Sequence, residues 1–281
     1  MKKNKSLRII AAVIAFVIIG CICWFACAMM GNPISKAIVR YRSKQYVEAV
    51  YSDLELEVEE PFYSFKTGDY LVRVKSPVSI DTYFHMYYTL LGKMKYDSYE
   101  EDVPGRWTTC RRLEDAYREL TDTVTESADF PYGDDIAYGW LRFYHGEGDP
   151  EWGLLKEEFE LDGEYDISEL GRRAGELTVY AADDDVTVER AAEILLDIRR
   201  IFDEADIGFY VIDFVLEKPK TEGEPYSDSP RINVDDFLYE NIYEDGLTEK
   251  IQTAHDELEA YYAAEDAKTA ELAAAMEKTQ E

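Results

Sequence analysis

The feature that most constrains this chain is an uncharged run of 22 residues, 9–30, close to its N-terminus. As an α-helix this run would be roughly 33 Å long, which is enough to cross the hydrocarbon layer of a membrane. A helix that is apolar on every face over such a length is rarely the core helix of a water-soluble domain. The run therefore predicts a transmembrane anchor over 9–30, preceded by a basic tail over 1–8.

Two other interpretations of this run remain open. Ala26-Cys27-Ala28 resembles the small-residue end of a cleaved signal peptide, although the apolar run continues to Met30. Ile18-Ile19-Gly20-Cys21 resembles a lipobox, which would make Cys21 the lipid-modified residue, although a further apolar stretch follows it. Because the run extends past both points, we favour an uncleaved anchor over signal cleavage and over lipidation at Cys21.

The orientation of the anchor rests on the basic residues at its two ends. Four precede the run and four follow it within a short distance, so the positive-inside count is nearly balanced. A short basic tail favours the cytoplasmic side, and long domains translocate largely regardless of charge. We therefore expect a single-pass protein of the cell membrane with a cytoplasmic N-terminus and an extracellular domain.

Composition limits what the rest of the chain can bind. Its 281 residues carry 30 basic and 59 acidic side chains, a formal net charge of −29, which argues against a nucleic-acid partner because phosphates would be repelled. With 46% hydrophobic residues there is enough apolar material for a packed core. Only Cys110 of the four cysteines lies outside the apolar run, so no disulfide within the domain is predicted.

The first part of the region after the anchor, 32–102, is predicted to be one helix followed by an antiparallel sheet. Asn32-Pro33 is typical of a capped helix start. Strand-like stretches follow at 54–58, 70–75 and 80–91, the second of them after a turn-like Thr67-Gly68-Asp69. An acidic, turn-like stretch then marks a domain boundary at 102/103.

The second part, 103–281, is predicted to be another helix-plus-sheet domain that ends in a long helix. Its clearest unit is a strand, a helix and a strand between 176 and 216. The remaining predicted elements are a helix at 107–126, strands at 136–144 and 231–237, and a helix from about 247. The fold class is therefore α+β, with one N-terminal transmembrane helix followed by two small helix-plus-antiparallel-sheet domains.

Two groups of residues resemble a known family. Gly31-Asn32-Pro33-Ile34-Ser35 directly follows the predicted span, and Val74-Lys75-Ser76-Pro77 leads into Asp81-Thr82-Tyr83-Phe84. Together they resemble the YfjL-like proteins of Gram-positive bacteria over about the first 90 residues. The resemblance implies a membrane-anchored, extracytoplasmic, two-part domain. That family has no established activity, so the resemblance assigns no role to any residue here.

No catalytic, cofactor or metal site emerges from the residues. The three histidines, His85, His145 and His255, are far apart and lack metal-ligand spacing. Asp183-Asp184-Asp185 is better explained as the acidic start of a helix than as a cation site. The chain offers no nucleophile elbow and no phosphate loop. Whether it is an enzyme stays uncertain, with a non-enzymatic role favoured and no cofactor expected.

One face of a predicted strand is the best candidate for binding. Tyr83, His85 and Tyr87 alternate with apolar residues in the third strand, and tyrosine offers rigid amphipathic contact area. Packing of these rings inside the domain is the competing explanation. The favoured function is a membrane-anchored extracytoplasmic module that binds a protein of the cell envelope. A small-ligand or cation sensor is the alternative, and an envelope hydrolase is a more distant one.

Overall fold

The computed structural model of the protein describes residues 3–132, 136–144, 152–219 and 230–279, so His145 lies outside the described residues. The chain begins with helix α1, Lys3–Met30. The window Ile9–Cys27 within it is long and apolar enough to cross a membrane, and none of its described side chains is buried. A signal sequence near an N-terminus meets the same criterion.

A capped break separates α1 from helix α2, Pro33–Val50. Gly31 ends α1 with a φ of 73°, a left-handed conformation that glycine adopts without strain. The Asn32 side chain accepts the Ser35 N–H at 2.7 Å, and Pro33 occupies the first helical position. The predicted helix start at Asn32-Pro33 is confirmed.

Helix α2 packs on a five-stranded antiparallel sheet. Its strands are β1 Glu57–Val58, β2 Phe62–Ser64, β3 Asp69–Lys75, β4 Tyr83–Tyr88 and β5 Met94–Asp97. Strands β1 and β2 both pair with β3, followed across the sheet by β4 and β5. The core consists of alternate strand residues and the inner side of α2: Val39, Val47, Tyr70, Val72, Val74, Phe84, Met86 and Tyr88. The strand predicted at 54–58 is shorter than expected.

The chain divides into two compact units. The N-terminal unit comprises Met1–Thr109 and Phe159–Gly163, and the C-terminal unit comprises Cys110–Glu158 and Glu164–Glu281. The later segment joins the first unit through Asp81, whose carboxylate accepts the Asp162 N–H at 2.8 Å and the Thr109 hydroxyl at 3.0 Å. Helix α3, Tyr99–Asp102, belongs to the N-terminal unit. Helix α4, Trp107–Thr125, begins in the N-terminal unit and continues into the C-terminal unit from Cys110.

The C-terminal unit contains a second sheet and its helices. Its strands are β6 Ile136–Leu141, β7 Gly175–Ala182, β8 Val211–Glu217 and β9 Arg231–Leu238, in spatial order β6-β7-β8-β9. Its further helices are α5 Ile167–Ala174, α6 Val188–Glu204 and α7 Leu247–Thr279, with short 3₁₀ turns at Lys156–Glu158 and Tyr239–Asn241. The predicted α+β class, with an apolar N-terminal helix and two helix-plus-sheet parts, is confirmed.

The second sheet differs from the predicted antiparallel sheet at one pairing. β6–β7 and β8–β9 are antiparallel, whereas β7–β8 is parallel. The reason is the crossover helix α6, which returns the chain to the start of the sheet so that β8 runs beside β7 in the same direction. The apolar side of α6 packs on this sheet through Ile194, Leu195 and Ile198, all buried.

Candidate functional site

The three predicted binding residues lie on the face of β4 that points away from the core. Phe84, Met86 and Tyr88 are buried, and Tyr83, His85 and Tyr87 between them are half-buried. This placement follows from the two-residue repeat of a strand. Their role in binding stays a prediction.

The strand register extends this face across the sheet. Phe62 pairs with Leu71, Leu71 with Tyr87, and Tyr87 with Tyr96, so the four side chains form a line on one face, which we call the outer row. Tyr87 and Tyr96 stack with ring centroids 4.4 Å apart and planes at 17°. At the ends of the row, Phe62 is 66% exposed and Tyr96 is 55% exposed.

Cationic side chains flank the outer row. Arg73 pairs with His85 across the strands, and its guanidinium lies 4.6 Å from the centroid of the Tyr83 ring. Lys75 pairs with Tyr83 in the same register, and its ammonium nitrogen lies 3.0 Å from a carboxylate oxygen of Glu59. The face thus combines aromatic area with positive charge in an otherwise acidic protein.

Sequence reasoning missed three members of the outer row, Phe62, Leu71 and Tyr96. Their side chains join Tyr87 only through the pairing register of four strands, two of which, β2 and β5, were not predicted at all. The turn at Thr67-Gly68-Asp69 was the available signal, because a hairpin there pairs residues 62–64 with 69–71.

A second candidate is a pair of carboxyl groups in the C-terminal unit. The buried Glu176 accepts hydrogen bonds from the Arg142 guanidinium, at 3.0 Å from Nε and through a second bond from Nη2. Asp213 lies beside it and accepts the backbone N–H of Asp236 at 2.8 Å. Burial, reinforced by the charge and hydrogen bond of Glu176, raises the pKa of Asp213 to about 7.

Two indole rings lie beside Arg142, the hydrogen-bond partner of Glu176. The guanidinium carbon of Arg142 lies 5.5 Å from the Trp140 ring centroid and 5.0 Å from that of Trp152. Trp152 in turn contacts Tyr210, with centroids 5.3 Å apart. Because the Arg142 guanidinium is already hydrogen-bonded to Glu176, this cluster offers a ligand the two indole rings and the Glu176–Asp213 carboxyl pair. Sequence reasoning found none of these residues, since they come from three strands, β6, β7 and β8, and from loop positions beside them.

The remaining candidates offer little chemistry. Cys110 is fully buried, and this burial raises the pKa of its thiol to about 12, which leaves it unreactive. Asp183 accepts the Asp185 N–H and binds Arg190 at 2.8 Å, close to the start of α6, as a structural role requires. Among the residues that the structure describes, no group of three or more His, Cys, Asp or Glu side chains could hold a metal ion.

Cys21 lies within α1, with an exposed side chain. The helix continues past it to Met30. Its lipidation stays a prediction.

Two family models match the chain. The model for the YfjL-like, N-terminal domain matches residues 6–98, and the model for the YfjL-like C-terminal domain matches residues 116–252. The chain belongs to the YfjL-like family. The second match carries the resemblance beyond the first 90 residues to most of the C-terminal unit, from within α4 to within α7. No curated protein and no solved structure matches the chain.

Proposed function

We propose that this YfjL-like protein is a single-pass protein of the cell envelope that binds another protein through the outer row. In this proposal α1 crosses the cell membrane, the N-terminus is cytoplasmic, and both units are extracellular. The length and composition of α1 support the anchor. The protein acts without catalysis, as an adaptor held at the membrane.

The outer row is the observation that carries the binding role. Aromatic side chains are enriched at the centres of protein interfaces because they supply large contact area at low entropic cost. Phe62 and Tyr96 expose more than half of their surface on the open face of the sheet, which suits a protein partner better than a small molecule. Arg73 and Lys75 beside the row favour a partner with acidic residues, although Glu59 already neutralises part of the lysine charge.

Photocrosslinking in intact cells tests this role. p-Benzoylphenylalanine would be placed singly at Phe62, at Tyr96 and, as the matched control, at Val78, which is 76% exposed in the same unit but outside the row. We expect one envelope protein to be captured from positions 62 and 96 and not from 78. Equal capture from all three positions, or no adduct from the two row positions, would contradict the proposal.

A small polar ligand at the Glu176–Asp213 pair is the second candidate function. The observation that favours it is the position of two indole rings, those of Trp140 and Trp152, within 5.5 Å of the Arg142 guanidinium carbon and beside two carboxyl groups. A thermal-shift screen with sugars and small cations would compare the wild type with Trp140→Ala and, as the control, Leu155→Ala at another exposed apolar position. A ligand of this site should raise the Tm of the wild type and of the control but not of Trp140→Ala.

A further inference from the structure

Helix α2 has a buried face and, on the opposite side, an exposed apolar face. Ser35, Val39, Ser43 and Val47 recur every four residues on the buried side, which covers the first sheet. Ile34, Ala37, Ile38 and Tyr41 occupy the opposite side, where Ile34 is 73% exposed and Tyr41 is 63% exposed. A helix at a domain surface normally presents polar residues to solvent, so an exposed apolar face indicates that a further layer covers it.

The loop between β4 and β5 enlarges this exposed face. The Arg42 guanidinium donates to the carbonyl oxygen of Gly92 at 2.7 Å. Gly92 lies so close to α2 that a Cβ atom on it would be 2.6 Å from Cγ2 of Ile38. The neighbouring Leu91 is 82% exposed. We call Ile34, Ala37, Ile38, Tyr41 and Leu91 the outer α2 surface.

A fixed joint places the outer α2 surface next to the end of α1. The Tyr70 hydroxyl accepts the Asn32 N–H and donates to the Asn32 carbonyl oxygen, both at 2.9 Å. Gly31 packs against Tyr63 and Tyr70 so closely that a Cβ atom on it would overlap both. The outer α2 surface therefore begins only four residues after Met30, where α1 ends.

The charge of α2 is opposite to that of the whole chain. The helix carries Lys36, Arg40, Arg42 and Lys44 against a single acidic residue, Glu48, whereas the chain has a net charge of −29. Glu60 contacts Lys36 and Arg40 and offsets part of their charge, and the Arg42 guanidinium is hydrogen-bonded to the β4–β5 loop beside the apolar face. Basic residues around an apolar face suit the anionic headgroups and acyl boundary of a lipid bilayer.

We infer that α2 lies on the bilayer that α1 crosses, with the outer α2 surface in the anionic headgroup region. The N-terminal unit is then a sandwich in which α2 separates the first sheet from lipid. The inference rests on the anchoring by α1 proposed above. The bilayer is the occupant because the outer α2 surface adjoins the end of the span and because the charge of α2 is complementary to that of anionic headgroups.

A depth measurement on the full chain in lipid vesicles tests the inference. The environment-sensitive fluorophore NBD would be attached to Ile34→Cys, Leu91→Cys or, as the matched control, Val78→Cys. Cys21, Cys23 and Cys27 would be replaced by alanine, and Cys110 stays because it is fully buried and resists labelling. The vesicles contain phosphatidylcholine with phosphatidylglycerol, with or without lipids that carry a nitroxide near the headgroup.

We expect blue-shifted emission at positions 34 and 91 that nitroxide lipids quench several-fold more strongly than emission at position 78. We also expect weaker quenching at both positions in vesicles of phosphatidylcholine alone. Probes at 34 and 91 that behave like the probe at 78 would overturn the inference. Blue-shifted emission without quenching would also overturn it, because a second copy or another protein would then cover the surface.

Flotation of the same vesicles separates this inference from the proposed anchoring. Protein that floats with the vesicles but is not quenched contradicts only the placement of α2 on the bilayer. Protein that does not float contradicts the anchor and the inference together. Protein that floats and is quenched at 34 and 91 supports both.

Discussion

At the scale of single residues, Asp213 makes the stability of the C-terminal unit depend on pH. Its pKa is raised to about 7 by burial and by Glu176, whereas an aspartate in an unfolded chain has a pKa of about 4. Between these two values the folded protein holds a proton that the unfolded chain has released. The free energy of unfolding therefore falls as pH rises from about 4 to about 7 and changes no further with this group above that range.

Asp213→Asn should remove this dependence. Asparagine keeps an oxygen that can accept the Asp236 N–H and imitates the neutral, protonated carboxyl group. We expect the variant to have a higher Tm than the wild type at pH 8 and a similar Tm at pH 4 when both are followed by thermal denaturation. Asp184→Asn, at an exposed position, is the control for the loss of one negative charge. Equal shifts in both variants would show that net charge alone is responsible.

At the scale of elements, the joint between α1 and α2 gives a matched pair of glycine substitutions. Gly31 and Gly68 have φ angles of 73° and 70°, so alanine meets the same backbone strain at both, about 1 kcal/mol or more. A Cβ atom at Gly68 has nothing within 4 Å, whereas at Gly31 it would lie 2.5 Å from the Tyr70 hydroxyl oxygen.

Gly31→Ala should therefore destabilise the N-terminal unit more than Gly68→Ala does. Overpacking of this kind costs roughly 1–3 kcal/mol beyond the backbone strain. Urea unfolding of the full chain in detergent, followed at sites within the N-terminal unit by hydrogen exchange, measures the difference. If the two variants lost the same stability, the contacts of Gly31 with Tyr63 and Tyr70 would contribute nothing to the joint.

The helices and strands also show which parts of the fold could be predicted from the sequence. The capped start at Asn32-Pro33, the alternation in β4 and the strand–helix–strand unit are local patterns, and each is confirmed. Strands β2 and β5 are three and four residues long and owe their existence to pairing with β3 and β4. Such short strands have no pattern of their own, so β5 could not be predicted and β2 could be inferred only from the turn at Thr67-Gly68-Asp69.

The candidate sites follow the same rule. Tyr83, His85 and Tyr87 could be placed on one face because a single strand contains all three. The outer row needs the register of four strands, and the Glu176–Asp213 pair needs the parallel contact of β7 with β8, which α6 creates. Residues 37 apart in the sequence become neighbours only through that crossover.

At the scale of the whole molecule, the unequal distribution of charge favours contact between α2 and the membrane. Residues 1–44 carry eight basic and no acidic side chains, so all 59 acidic residues of the chain lie beyond them. An acidic domain is repelled by anionic headgroups, so α2 with its four basic residues is the segment best suited to contact them.

A dual-tag experiment on intact cells tests the proposed topology together with the processing of α1. The full chain would carry one tag before Met1 and another after Glu281. An uncleaved anchor with a cytoplasmic N-terminus predicts that external protease removes the C-terminal tag and leaves the N-terminal tag on a short protected fragment.

Signal cleavage or lipidation at Cys21 would instead separate the N-terminal tag from the mature protein before protease is added. Cys21→Ala distinguishes these two, because it blocks only processing that depends on lipidation. A C-terminal tag that survives until lysis, in cells whose known surface proteins are digested, would place both units inside the cell and contradict the proposed orientation.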